Sequence, residues 1–326
     1  VCGLDGDRIE QRDGQWAGYR RNLRMGFFEN NHQHLVRFEW MFVLVTAAIG
    51  FTAAICVATV EPNTRPFFVN DATVWYDPTP DTIPTWGVVL FCFLCSVVSL
   101  LVEYSCMSRA TEDTKISYWV MARVLVMLWA AIVLNEAITE IIKLMVGELR
   151  PGFGRTCLGN DQVPPYSYSA LTIAANDQCT SGATDHELNS LRKSFPSGHT
   201  SNSFTPAVFC TAHILWRSIT MRSPKPMLSL PLWMSQLYSV CALLPVFIAL
   251  LIGVSRIIDF HHHPHDVVGG AALGTGIGAG CFYLVSGNLL KDYRFKLMTS
   301  EIEPIGSDAS TSYEIPNRDD SFAEDV

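Results

Sequence analysis

Twenty consecutive residues without a charge, Met41 to Val60, set the first limit on this chain. As a helix rising about 1.5 Å per residue, such a run covers the roughly 30 Å of hydrocarbon in a bilayer, where only helices and closed barrels satisfy every backbone N–H and C=O. Five more apolar runs follow. They are Thr85 to Val102, Ile116 to Ile142, Thr200 to Trp216, a run inside the uncharged stretch Pro226 to Ser255, and Val267 to Leu290. The third is broken by Arg123, Glu136 and Glu140. A composition of 49% hydrophobic and 17% charged residues departs from the soluble average in the same direction. The expected fold is therefore all-α: a polytopic membrane protein with six transmembrane helices over residues 38–290, after a cytoplasmic segment (1–37) and before an acidic, disordered cytoplasmic tail (291–326). About forty mostly polar residues precede the first run, which argues against a cleaved signal peptide. An interfacial helix is expected around Trp16 to Phe28.

Basic residues near the helix ends orient the bundle. Arg20, Arg21, Arg24 and Arg37 precede the first run, Arg217, Arg222 and Lys225 lie between the fourth and fifth, and Lys291, Arg294 and Lys296 follow the sixth. The first link instead sets Glu61, Asp71, Asp77 and Asp81 against Arg65. Both termini are thus expected in the cytoplasm, with the first, third and fifth links facing the exterior or an organelle lumen. The third link breaks the charge rule with Lys143, Arg150, Arg155, Arg192 and Lys193, which suggests cations that serve an anionic substrate. The first link is assigned no chemistry.

Three polar clusters interrupt the apolar pattern. Ser255 to Asp266 reads SRIIDFHHHPHD, one arginine, four histidines and two aspartates between two membrane-length runs. Its His262 and Asp266 are four apart. In a helical turn opened by Pro264 the carboxylate can hold one imidazole nitrogen and leave the other free, as a nucleophile or general base. The plainer alternative is a polar helix entrance or a chance metal patch. In KLMVGELRP, Lys143 and Arg150 are seven apart, so one helix running to Pro151 points both the same way. In KSFPSGHTSNSF, Ser197 and Gly198 open a helix whose bare N–H groups suit an anion, and His199 exceeds what an N-cap needs.

These clusters all fall at the extracytoplasmic end of the expected bundle. Three cations, a hydroxyl and a helix N-terminus make a pocket for a dianionic tetrahedral group, and phosphate fits best. Other features read as structure. Glu136, Thr139, Glu140 and Lys143 share a helix face, with the glutamates expected to pair with Arg123 or Lys143. Gly270, Gly274 and Gly278 at four-residue spacing suit close helix packing. Cys157 and Cys179 can form a disulfide in an oxidising compartment, worth about 3 kcal/mol. Cys92 and Cys95 have the Cys-x-x-Cys spacing but no second pair, so no metal site is assigned.

With these motifs in place, the sequence resembles the type-2 phosphatidate phosphatase superfamily, and within it the lipid phosphate phosphatase branch. That family carries a lysine, six residues and Arg-Pro; then Pro-Ser-Gly-His; then Ser-Arg, five residues, histidine, three residues and aspartate. Lys143/Arg150/Pro151, Pro196/Ser197/Gly198/His199 and Ser255/Arg256/His262/Asp266 match it without a gap. The resemblance implies metal-independent, cofactor-free hydrolysis of lipid phosphate monoesters such as phosphatidate, lysophosphatidate and sphingosine 1-phosphate. It further implies that His262 attacks phosphorus and forms a phosphohistidine with Asp266 orienting it, that His199 acts as acid and then base, and that Lys143, Arg150, Arg256, Ser197 and the Gly198 amide bind the phosphoryl oxygens. His261, His263 and His265 fall outside the motif and read as structural or pH-tuning.

The expected partners are a phosphorylated lipid and the bilayer, with no nucleic acid and with homo-oligomerisation left open. The membrane is the plasma membrane or an endomembrane. Alternatives are a polyisoprenyl diphosphate phosphatase, a lipid phosphotransferase and, from another class, a catalytically silent lipid-binding scaffold.

Overall fold

A computed structural model describes residues 40–68, 71–110, 114–159, 172–173, 179–220 and 232–300. The expected interfacial helix, the boundary at residue 37 and the tail from 301 onward lie outside them. Long helices dominate: α1 (Trp40–Thr59), α2 (Thr85–Ala110), α3 (Thr114–Val146), α6 (Gly198–Thr220), α7 (Leu232–Cys241), α8 (Leu244–Ile258) and α9 (Pro264–Ser300). Two short helices, α4 (Phe153–Leu158) and α5 (Asp185–Leu191), lie between α3 and α6. A two-residue antiparallel ladder pairs β1 (Phe67–Phe68) with β2 (Thr172–Ile173).

Among the described residues, five segments are long and apolar enough to cross a bilayer: Trp40–Thr59, Thr85–Cys106, Tyr118–Val146, Ser239–Ile258 and Pro264–Gly287. The remaining long helix, α6, is more polar for a physical reason. It packs against α2, α3, α8 and α9 at once, so it needs no lipid-facing surface. Its Ser201, Ser203, Thr205, Thr211 and His213 are buried. Ser203 and Thr205 return their hydroxyls to the helix, donating to the Thr200 and Ser201 carbonyls at 2.9 and 3.0 Å. By contrast Leu44, Phe51, Phe93, Leu101, Phe247 and Leu250 on α1, α2 and α8 remain exposed, the surface a lipid solvent would cover.

Among the described residues, three packing centres hold the molecule. Val88, Phe91, Phe204, Ala207 and Ile252 join α2, α6 and α8. Val124, Leu128, Phe209, Phe282 and Val285 join α3, α6 and α9. Outside the bundle, Phe67, Val74, Leu149, Phe153 and Leu188 form the core of a small cap, which the Cys157–Cys179 disulfide ties together.

Four sequence expectations change. The fifth apolar run is two helices: Pro245 lacks the N–H that continuation needs, α7 stops at Cys241, and Thr211 Oγ1 donates to the Ala242 carbonyl at 2.8 Å. Helix α9 runs ten residues past Leu290, to Ser300. Helix α3 ends at Val146, short of Arg150, because Gly147 takes φ +61° and a Cβ there would overlap the Asn63 carbonyl oxygen. Finally, not all the third-link cations face a substrate. Arg155 pairs with Asp77 at 3.2 Å, and the fully buried Arg192 lies over the Phe153 ring at 4.7 Å, so both hold the cap.

Candidate active site

Close contact between α6 and α9 builds the site. A Cβ on Gly270, Gly274 or Gly278 would overlap the carbonyl oxygens of Ser197, Ser201 and Thr205 respectively. The three glycines therefore let the α9 backbone lie directly on α6. One consequence is that the two N-termini meet: the Ser197 N–H donates to the Asp266 carbonyl at 3.0 Å. The second and third sequence clusters are thereby joined through the main chain.

His262 sits in the tight turn between α8 and α9, its N–H donating to the Arg256 carbonyl at 3.2 Å. Its Nδ1 is 3.5 Å from Asp266 Oδ2. Ser194 lies between them, donating to Asp266 Oδ2 at 2.6 Å with its oxygen 3.4 Å from His262 Nδ1. A protonated Nδ1 therefore faces an oxygen that is itself tied to the carboxylate, which leaves Nε2 with its lone pair. Burial, reinforced by the Arg150 and Lys143 charges and opposed by the hydrogen bond to Asp266, pushes the His262 pKa down to about 3. The imidazole is thus neutral at ordinary pH.

Lys143 reaches the same place from the end of α3. A Cβ on Gly198 would lie 2.9 Å from its Nζ, so the ammonium occupies the space that glycine leaves over the first turn of α6, and it is paired to Glu140 at 2.5 Å. Arg150, although off the helix, is brought back by its N–H, which donates to the Leu191 carbonyl at 2.8 Å. Lys143, Arg150 and Arg256 all act electrostatically on His199. Ser197 is fully buried and accepts from Thr200 Oγ1 at 3.0 Å. Among the described residues, His199 Nε2, Arg150 Nε and Arg256 Nε are buried with no hydrogen-bond partner. Three unsatisfied nitrogens at one end of a bundle are costly unless a ligand meets them.

The first link contributes after all. Arg256, 3% exposed, donates from Nη2 to Asp81 Oδ1 at 2.8 Å and from Nη1 to the Ile83 carbonyl at 3.2 Å. Asp259 anchors that link by accepting from Thr82 N at 2.8 Å and Thr82 Oγ1 at 2.6 Å. His261 Nε2 lies 3.0 Å from both Asp81 Oδ1 and the Thr79 carbonyl oxygen. Burial raises the Asp81 pKa, but the hydrogen bond and charge of Arg256 outweigh it and leave the carboxyl below its ordinary value. Ser194 and Asp81 are the residues sequence reasoning missed. Ser194 is a serine without a spacing rule, and Asp81 meets its partner 175 residues away.

Glu140 pairs with Lys143 as expected, whereas Glu136 accepts from Asn202 Nδ2 at 2.5 Å. A further charged group lies elsewhere on α2 and α6, where buried Glu103 accepts from His213 Nε2 at 2.9 Å and from Arg217 Nε at 2.8 Å.

Fold and site together define a helical, polytopic integral membrane protein whose bundle end gathers cations, an N-terminal helix turn and a carboxylate-held histidine. The chain belongs to the PAP2 superfamily, whose family model matches residues 124–289, just over half of the chain. It is 27% identical over 254 residues to lipid phosphate phosphatase 2 of Arabidopsis thaliana, covering 77% of this chain and 76% of that protein. It is 27% identical over 215 residues to diacylglycerol pyrophosphate phosphatase 1 of Saccharomyces cerevisiae, covering 66% and 68%. With phospholipid phosphatase 2 of Homo sapiens it shares 24% identity over 255 residues, covering 74% and 81%. No solved structure matches the chain.

Proposed function

We propose that this protein is a phosphoric monoester hydrolase that removes phosphate from lipid phosphates through a phosphohistidine. The observation that carries the reading is His262, neutral and held on its Nδ1 side by Ser194 and Asp266, among the cations of Lys143, Arg150 and Arg256. Nε2 attacks phosphorus while the lipid alkoxide leaves, and His199 gives that alkoxide its proton. Lys143, Arg150, Arg256, the Ser197 hydroxyl and the Gly198 amide hold the three equatorial oxygens as charge spreads over them. His199 then takes a proton from water, which attacks the phosphohistidine and frees His262.

The same geometry supports a topology. The N-terminus of α6 and the turn between α8 and α9 share one bundle end, so α6 must run the length that α8 returns, which supports six spans. The disulfide lies on the side of the site, which supports an exterior or luminal face and cytoplasmic termini. The relative named for diacylglycerol pyrophosphate supports including lipid diphosphates among the substrates.

Phosphate release from phosphatidate, lysophosphatidate, sphingosine 1-phosphate and a polyisoprenyl diphosphate, in detergent with EDTA, tests the reading. Release should disappear in His262→Ala, and brief mixing with labelled substrate should leave acid-labile, base-stable label on the wild type alone. A folded wild type that releases nothing from any of the four points to a transferase or a silent lipid binder.

A further inference from the structure

Glu136 carries a carboxyl group exposed on the side of a membrane-length helix, and the reaction does not use it. At 1.5 Å per residue it lies about 15 Å along α3 from Val146, deep in the apolar span. An ionisable side chain at that depth is costly unless it lines the path of a polar ligand.

A ladder of contacts between α3 and α6 fixes its place relative to the phosphate pocket. Lys143 Nζ lies over Gly198, and Thr139 Oγ1 is 3.0 Å from Ser201 Oγ. Asn135 Nδ2 donates to Ser201 Oγ at 3.2 Å and to Asn202 Oδ1 at 2.6 Å, and Asn202 Nδ2 donates in turn to Glu136 Oε2 at 2.5 Å. Cys92 Sγ of α2 reaches the Asn202 carbonyl at 3.6 Å, so three helices meet at this rung. Asn202 follows His199 by three residues, which sets it on the same face of α6 and about 4.5 Å deeper along the axis. Asn135 is fully buried, yet among the described residues its Oδ1 has no hydrogen-bond partner. The cluster that holds Glu136 is therefore short of a donor.

We propose that Glu136, aimed by Asn202, determines which lipids the enzyme prefers: it accepts a hydrogen bond from a hydroxyl or ammonium group on the carbon next to the phosphate-bearing one. Lipid phosphates with a free donor there are favoured over those acylated at that position. The proposal rests on the phosphatase reading, which seats the departing oxygen at His199. A substituent on the next carbon is three bonds from that oxygen, so it falls roughly one helical turn from His199, the level at which Asn202 holds Glu136. Asn202 occupies Oε2 and leaves Oε1 to the substrate. Hydrocarbon supplies no water to compete for that oxygen, and a carboxylate accepts more strongly than a neutral group. An ester at the same carbon brings no donor and leaves the acceptor unmatched, which is how a polar partner rejects an analogue.

The test uses matched pairs that differ only in the donor: lysophosphatidate against its 2-deoxy analogue, and sphingosine 1-phosphate against its 2-desamino analogue, at equal surface fraction in mixed micelles with EDTA. In wild type, kcat/KM should favour the donor-bearing member of each pair by about tenfold or more. In Glu136→Leu both ratios should fall toward one, with the loss on the donor-bearing member. Glu136→Gln keeps a neutral acceptor, so it should retain most of the hydroxyl preference and lose most of the ammonium preference; it also serves as the test if the leucine variant misfolds. The same ratios are read as displacement of a fluorescent lysophosphatidate from His262→Ala, with and without Glu136→Leu.

Wild-type ratios near one, or ratios that Glu136→Leu leaves unchanged, overturn the proposal. Equal loss on both members of a pair overturns it too, because it makes Glu136 a structural residue. A wild type that releases phosphate from no member counts against the phosphatase reading, while the displacement ratios still decide whether Glu136 recognises the donor.

Discussion

Arg256 and Asp81 are joined by a 2.8 Å hydrogen bond across 175 residues of sequence, from the end of α8 to the link before α2. The guanidinium is nearly inaccessible, so its direction is set by its partners and not by water. A residue outside every recognised motif thereby fixes the aim of one inside.

Replacing Asp81 should therefore damage catalysis through Arg256. Asp81→Ala leaves a buried cation short of a partner, a cost of about 1–3 kcal/mol, or roughly 5- to 150-fold in kcat/KM. Asp81→Asn keeps an acceptor and should recover most of that loss. Steady-state kinetics on a soluble short-chain phosphatidate would show it, and equal loss in both variants would mean that the charge, not the aim, is what matters.

Ser194 makes a sharper test of the histidine's setting. Ser194→Ala removes the group between His262 Nδ1 and Asp266 without touching the cations. The expected result is a fall of about 10- to 100-fold in kcat with KM little changed, since the hydroxyl touches His262, the proposed nucleophile, and not the proposed phosphate ligands. A rise in KM at constant kcat would place Ser194 in substrate binding instead.

The pH dependence has a definite sign. Arg150 and Lys143 both lower the His262 pKa, so removing either must raise it, and the histidine will be protonated, and inactive, at higher pH. In Arg150→Gln or Lys143→Gln the acid limb of kcat, measured with EDTA present, should move to higher pH than in wild type. The substrate's own ionisation is common to both enzymes and cancels in the difference. An unmoved limb would separate these cations from His262.

Packing between α6 and α9 should be intolerant at one glycine and tolerant two residues on. Gly274→Val forces a side chain into the Ser201 carbonyl, which calls for a backbone shift costing about 1–3 kcal/mol. A Cβ on Gly276 meets nothing within 4 Å, so Gly276→Val enters open space. Thermal midpoints in detergent should fall for the first and hold for the second, and activity should fall with the first because the same contact joins Ser197 to Asp266.

Much of the site could be read from the chain because its parts are local. His262 and Asp266 are one helical turn apart, and Ser197, Gly198 and His199 are consecutive, so spacing alone puts them in register. Lys143 and Arg150 were also legible as a pair, but for the wrong geometrical reason. The Gly147 turn takes Arg150 off the helix, and the Leu191 carbonyl holds its backbone, so the two are not carried along one helix. The polar character of α6 reads as weakness in an apolar run, whereas it follows from enclosure by four other helices.

By itself the sequence determined the helical membrane fold and the three clusters, because hydropathy over a bilayer's thickness and i,i+4 spacing are properties of short stretches. It could not determine the partners that connect those stretches. Which of five third-link cations face the site, that Asp81 clamps Arg256, that Ser194 stands between His262 and Asp266, and that His263 and His265 crowd the same carboxylate were decided by tertiary packing. Such contacts depend on how closely α9 lies on α6 and where the first link crosses the bundle end, and no local pattern encodes either distance.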